Sequence, residues 1–151
     1  MINVQYKLII DQDKEESVVI TVHEKNELVF EIEKLINSKS LRIIGYKEDE
    51  IYPLELGEIY SFYTSDGKVF AKVKEDEYIV KERIYQLEIY CEELFVKINQ
   101  GCLVNIKKIL KFESDLGGFI KVVMKNGFTD YVSRRELKNV KRRLGLWKNI
   151  Y

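Results

Sequence analysis

Phe95-Val-Lys-Ile-Asn-Gln-Gly-Cys-Leu-Val-Asn105 is the stretch on which the rest of the chain turns. Its apolar residues Phe95, Ile98, Leu103 and Val104 lie on either side of a polar break, Asn99-Gln100-Gly101. That pattern predicts a short strand, a glycine-loosened corner and a second short strand. Such a corner pushes an amide side chain, Gln100, outward with Lys97 beside it. An ordinary bulged β-corner has the same texture, so the surroundings must decide between the two.

Downstream, strands are expected at 106–112, 119–124 and 128–132, the last two joined by the hairpin signal Asn126-Gly127. Ser133-Arg134-Arg135-Glu136 opens a final helix. Ser133 with Glu136 three residues on is a capping box, and Gly145 is a suitable stop. Upstream, Ile84, Leu87, Cys91 and Leu94 give 83–94 the face of a short amphipathic helix. Short strands at 41–46, 51–54, 59–64, 68–73 and 77–81 precede it, and Asp66-Gly67 supplies the positive φ values of a tight hairpin. Residues 2–10 alternate as a strand, 18–22 read as a second, and Leu28, Val29, Ile32, Leu35 and Ile36 mark a helix face ending near Asn37-Ser38. The expectation is a mainly β, α+β fold with three helical segments. A small β-β-α extension over 1–40, a candidate dimerisation or core-completing element, precedes a domain over 41–151. The single proline and the lack of Ser/Gly-rich linkers argue against independent modules.

Hydrophobic content of 46% with 33% charged residues across 151 residues is that of a soluble globular chain. Apolar runs such as Leu8-Ile9-Ile10 are too short to cross a bilayer, and the N-terminus has no signal-peptide pattern. Cys91 and Cys102 follow no metal spacing and read as free thiols of a cytoplasmic protein. The formal net charge of zero hides an asymmetry: residues 1–94 hold 12 Lys+Arg against 21 Asp+Glu, and residues 95–151 hold 13 against 4. The last third is therefore a candidate anion-binding surface, unless the two parts fold together and neutralise one another.

Enzyme signatures are scarce. The one histidine, His23, has no carboxylate–cysteine constellation beside it, and carboxylate runs such as Glu75-Asp76-Glu77 read as solvated turns. No nucleophile elbow, zinc-protease motif, P-loop or dinucleotide fingerprint occurs, so neither catalysis nor a cofactor nor a small-molecule substrate is expected. The basic residues point elsewhere. Lys97, Lys107 and Lys108 surround the Gln100 corner, Arg134 and Arg135 open the final helix, and Lys138, Lys141, Arg142 and Arg143 continue along it. A helix N-terminus suits a phosphate. Arginine grips guanine bidentately and glutamine does the same for adenine, whereas lysine mostly supplies backbone attraction.

At this point the sequence resembles a known family. Residues 95–106, Phe-Val-Lys-Ile-Asn-Gln-Gly-Cys-Leu-Val-Asn-Ile, are similar to the F-x-R-[IV]-x-[KR]-S-x-[LIV]-V-N-[LI] element of the LytTR DNA-binding domain. Asn126-Gly127 and Val132-Ser133-Arg134-Arg135 continue the likeness. Upstream, Ile43–Leu54 and Asp66–Ala71 resemble the opening strands of small stand-alone LytTR transcription regulators. The resemblance spans about residues 41–145, with its motifs in order. It implies an antiparallel β fold that reads double-stranded DNA with loops in successive major grooves, bound as a homodimer on direct-repeat half-sites. Carried over by position, Gln100 and Arg135 fall at base-reading positions, Asp66 and Lys68 belong to a third reading loop, and Lys97 takes a phosphate-contacting arginine position. Asn99, Arg134, Lys107 and Lys108 complete the expected backbone-contacting set. Three departures stand out: Gln100 replaces a basic residue or asparagine, Gly101 replaces a serine, and Gly67-Lys68 lacks the polar aromatic or histidine of some members. The first 40 residues are too short for a phosphoacceptor receiver domain.

Two other readings fit parts of the same pattern. One is a protein-interaction module whose basic third docks an acidic partner or a regulatory membrane protein. The other is an RNA-binding β domain, which would need exposed aromatics where Tyr60, Phe62 and Phe70 are more economically buried.

Overall fold

The computed structural model describes residues 5–40 and 42–145. Helix α1 (Glu27–Ser40) is followed by β1 (Arg42–Lys47), β2 (Glu50–Glu55), β3 (Ser61–Ser65), β4 (Lys68–Val73), β5 (Asp76–Val80) and α2 (Ile84–Tyr90). Then come β6 (Phe95–Asn99), β7 (Cys102–Asn105), β8 (Ile109–Ser114), β9 (Ile120–Met124), β10 (Thr129–Val132) and α3 (Arg134–Leu144). Seven strands form one sheet in the order β2-β1-β5-β4-β3-β7-β6, and β10-β9-β8 form a second. Every pairing is antiparallel.

The quoted stretch lies where the two layers meet. β7 is buried along its whole length because both faces of the large sheet are covered there. Leu103 and Phe95 join Phe62, Ala71, Ile84, Leu87 and Cys91 in a core under α2. Val96, Ile98, Cys102 and Val104 face the other way and pack with Val122, Met124, Val132 and Val140, contributed by the second sheet and α3. The two cysteines are thus in different cores, both free. Burial pushes the Cys91 thiol up to about 12, and burial also raises Cys102. Asn105, only 1% exposed, ends β7 by donating from Nδ2 to the Ile59 carbonyl at 2.9 Å and accepting the Lys107 N–H at 3.0 Å.

The turns follow their residues. Asp66 and Gly67 both take positive φ, 52° and 74°, closing the β3–β4 hairpin with the twist that flanking strands need. Gly127 (φ 89°) turns the β9–β10 loop, where Asn126 Oδ1 accepts the Phe128 N–H. Gly145 (φ 67°) stops α3 in the left-handed conformation. Ser133 Oγ accepts the Glu136 N–H at 3.3 Å, so the serine half of the expected capping box is formed. The Ser133 N–H instead bonds the Ile98 carbonyl at 2.8 Å, which ties the helix start to β6.

Three expectations need correction. Residues 106–112 do not run as one strand: Ile106–Lys108 make a 3₁₀ turn and β8 begins at Ile109. Helix α2 ends at Tyr90 rather than Leu94, because the Leu94 and Phe95 N–H groups both turn back to the Cys91 carbonyl. The strands expected over 2–10 and 18–22 are absent from residues 5–10 and 18–22, while residues 2–4 lie outside the described residues, as does Leu41. Alternation alone could not make those strands. Among the described residues no sheet edge accepts them, and an isolated two-stranded ribbon is marginal in water. Tyr6, Leu8, Ile9, Ile10, Val18 and Val19 are left largely exposed. The expected helix of that extension is present: α1 buries Val29 and packs on the 3₁₀ turn Leu56–Glu58, and its Lys34 pairs with Glu92 and Glu93 just beyond α2.

Candidate nucleic-acid interface

Strand direction sorts the loops onto two ends of the layered body. At one end lie the Asp66-Gly67 hairpin, the Gln100 corner and the start of α3, and hydrogen bonds join them in series. The Thr64 N–H donates to the Gly101 carbonyl at 2.8 Å, linking the hairpin to the corner. Asn99 Nδ2 donates to the Tyr131 carbonyl at 2.9 Å, and the Ser133–Ile98 bond lies beside it. Asn99 Oδ1 meanwhile accepts the Gly101 N–H at 2.9 Å, which shapes the corner itself. Two hairpin loops and the β10–α3 junction therefore form one continuous edge.

On that edge the side chains best suited to reading are free. Gln100 is exposed, as are Asp66 and Lys68. Arg134 and Arg135 are exposed in the first turn of α3, where the free amides and the positive end of the helix add to their charge. Neither arginine forms an ion pair among the described residues. A carbon added at Gly101 would meet Thr64 Cβ at 3.6 Å, an ordinary contact, so the glycine there is a choice of chemistry rather than of space.

The other expected contacts fall elsewhere. Asn99 has both ends of its amide occupied within the protein, so it positions the corner. Lys97 is partly buried and points to α2, its Nζ 3.5 Å from Glu88 Oε2. It shares a cleft of about 440 Å³ with Glu88, Glu92, Glu93, Arg142 and Arg143. Arg143 also donates to the Glu92 carbonyl. Charge compensation between the acidic and basic parts of the chain is thus real, but it is concentrated in this cleft and leaves the loop edge uncompensated. Lys107 and Lys108 follow the far end of β7, roughly 10 Å or more along the strand from the corner. There Lys108 Nζ sits 4.5 Å from the centre of the Tyr60 ring. The structure therefore brings Asp66, Lys68, Gln100, Arg134 and Arg135 to one edge, sets Lys97 behind it, and places Lys107 and Lys108 at the opposite end.

Sequence reading missed the ties that make this edge, Thr64 to Gly101 and Asn99 to Tyr131, and the Glu88 partner of Lys97. It also missed the β8–β9 loop, residues 115–119, which lies at the same end because Ile120 pairs with Val132. Strand parity in an antiparallel sheet was the available signal, since alternate connections fall on the same side.

Comparison with known proteins adds four findings. The family model described as the LytTr DNA-binding domain matches residues 49–145. An uncharacterized HTH-type transcriptional regulator of Staphylococcus aureus strain bovine RF122 / ET3-1 is 29% identical over 142 residues, covering 92% of this chain and 97% of its own length. A counterpart from strain MSSA476 is 29% identical over 137 residues, covering 88% and 93%. The solved LytTr DNA-binding domain of a Bacillus cereus protein superposes with a TM-score of 0.64 at 18% identity, over 69% of this chain and 96% of that one. That likeness concerns the fold. The relatives carry an HTH-type name, yet strands β6 to β10 separate α2 from α3 here, and the described elements contain no helix-turn-helix.

Proposed function

This chain belongs to the LytTR DNA-binding domain family, and on that premise we propose that it is a transcription regulator reading double-stranded DNA through the loop edge 66–68, 100 and 134–135. The observation that carries the reading is the hydrogen-bonded series that ties the strand leading into Gln100 to the strand end leading into Arg135, with both side chains exposed. Protruding loops suit the major groove, where Arg135 has the donors for guanine and Gln100 the donor and acceptor for adenine. Arg134 and the α3 amides hold phosphate alongside. Lys97 adds a backbone contact when it exchanges Glu88 for phosphate, and Lys107 and Lys108 meet only DNA that extends past the edge. Membership of a DNA-binding family also accords with a binding protein rather than an enzyme, and no described helix is long and apolar enough to cross a membrane. The cytoplasm is the compartment that suits this function.

The testing experiment is selection of bound duplexes from a random pool at about physiological salt. Enrichment of a repeated short motif is the expected result. Well-folded protein that enriches nothing would remove DNA reading and favour the docking of an acidic or membrane-protein partner.

Direct-repeat half-sites call for two copies, and we assign the pairing to residues 1–40, ahead of the DNA-binding domain at 41–151. The support is the run of exposed apolar residues from Tyr6 to Val22, whose described hydrogen bonds and ion pairs are all local. A chain beginning at Ser40 is expected to run as a monomer in light scattering while retaining half-site binding. A truncated dimer would contradict the assignment, and an insoluble product would show that the leader completes the core instead.

A further inference from the structure

The loop Asp115–Phe119 joins β8 to β9 and belongs to none of the expected contact groups, yet it stands on the reading edge. Phe119 precedes Ile120, Ser133 follows Val132, and Ile120 pairs with Val132. Neighbouring strands are about 4.8 Å apart, so the loop is next to the start of α3. It is held firmly. Asp115 Oδ1 accepts the N–H groups of Gly117 and Phe119, both at 2.9 Å. The Asp115 N–H reaches the Phe119 carbonyl at 3.0 Å, the Gly118 N–H returns to the Asp115 carbonyl at 3.1 Å, and Gly118 takes a φ of 80°. This frame presents Leu116 entirely to solvent, at 110% relative exposure. Behind it Phe119, half exposed, meets Tyr131 edge-on with ring centres 6.3 Å apart.

A fully exposed leucine on a braced loop is a presented apolar tip. We propose that Asp115–Phe119 is a fourth DNA-contacting element, in which Leu116 packs on the deoxyribose edge bordering the groove that Arg135 enters. The inference rests on the DNA-reading function proposed above and extends it to a contact that carries no charge. The major groove is about 12 Å wide. A loop one strand, about 4.8 Å, from the start of α3 stays within that span, toward the wall of sugars that bounds the groove. The chemistry fits that position. The loop has no cation for phosphate, its one carboxylate has an oxygen engaged by two of its own amides, and an apolar side chain is the kind of group that packs on the carbon face of a deoxyribose. Continuity with the reading edge favours DNA over a protein as the occupant.

The test uses the full chain on the duplex it selects, with hydroxyl-radical cleavage to report which deoxyriboses are covered. Leu116→Ala is expected to bind that duplex about tenfold more weakly and to lose protection of the sugars flanking the Arg135 contact. Its thermal midpoint should be unchanged, because the side chain touches nothing in the protein. Leu116→Met, which keeps an apolar tip, should retain the protection. Unchanged affinity and an unchanged cleavage pattern in Leu116→Ala would overturn the proposal. So would normal binding to one half-site with loss of cooperative filling of two, which would show that the tip meets a neighbouring copy. If the unaltered protein protected no site at all, the reading of the whole edge would fall, and that outcome is distinguishable from failure of the loop alone.

Discussion

The Gln100→Ala/Arg135→Ala double variant is expected to lose discrimination between its selected site and random DNA while remaining folded. Both side chains are exposed, so their removal leaves both cores untouched. Each base-reading contact is worth about 1–3 kcal/mol. If the two act on different base pairs their losses add, giving a fall of at least about thirtyfold in specific affinity. Non-specific binding should fall less, because Arg134, Lys68 and the α3 amides remain. The measurement is a pair of titrations, on the selected duplex and on a scrambled one, repeated across salt. Lys97→Ala is the control: it should weaken both duplexes alike and reduce the salt slope by no more than about 0.9. Its effect is limited because the free protein already pairs Lys97 with Glu88. Equal losses on both duplexes in the double variant would deny these residues a reading role.

Gly45→Ala should be the most damaging single-methyl change in the described sheet. Gly45 pairs with Tyr52 in the β1–β2 ladder and is buried against β5. A Cβ there would lie 2.7 Å from Tyr78 Cβ and 2.8 Å from Leu54 Cδ1. The leucine methyl can swing aside, but Tyr78 Cβ is fixed to the β5 backbone, so the strands themselves must part. Overpacking of this kind costs about 2–3 kcal/mol, read as a lower urea midpoint at unchanged slope. Gly57→Ala is the comparison, since nothing lies within 4 Å of its added carbon. Equal midpoints for the two variants would refute the steric argument. Gly45 belongs to the β1–β2 margin of the large sheet, so the folded fraction of the variant should select the same DNA motif.

Much of this architecture was legible locally. Asp66-Gly67 and Gly145 needed no more than their own backbone preferences to be read, and Ser133 announced its helix through the amide it caps. The strands expected over the described residues 5–10 and 18–22 failed for the complementary reason. Their alternation is a local signal, whereas a strand exists only by virtue of a partner, and among the described residues none of the sheet edges supplies one. The site divided in the same way. Exposure of Gln100 and Arg135 followed from a polar corner and a helix start. The tie from Asn99 to a carbonyl 32 residues away and the pairing of Lys97 with Glu88 on another element carried no local signal. Pairings across the fold made those two contacts.

The serial ties from Thr64 to Gly101 and from Ile98 and Asn99 to Ser133 and Tyr131 also make the edge a ruler. On the proposed reading, the spacing between what Gln100 and Arg135 would touch is set by the protein and not negotiated with the DNA. Inserting one base pair between those positions moves the second about 3.4 Å along the helix axis and about 35° around it. Loops on independent tethers could follow such a shift, but loops bonded to one another through their backbones cannot. On the reading proposed, an operator would forgive a substituted letter more readily than an added one, so length is the stricter half of its grammar.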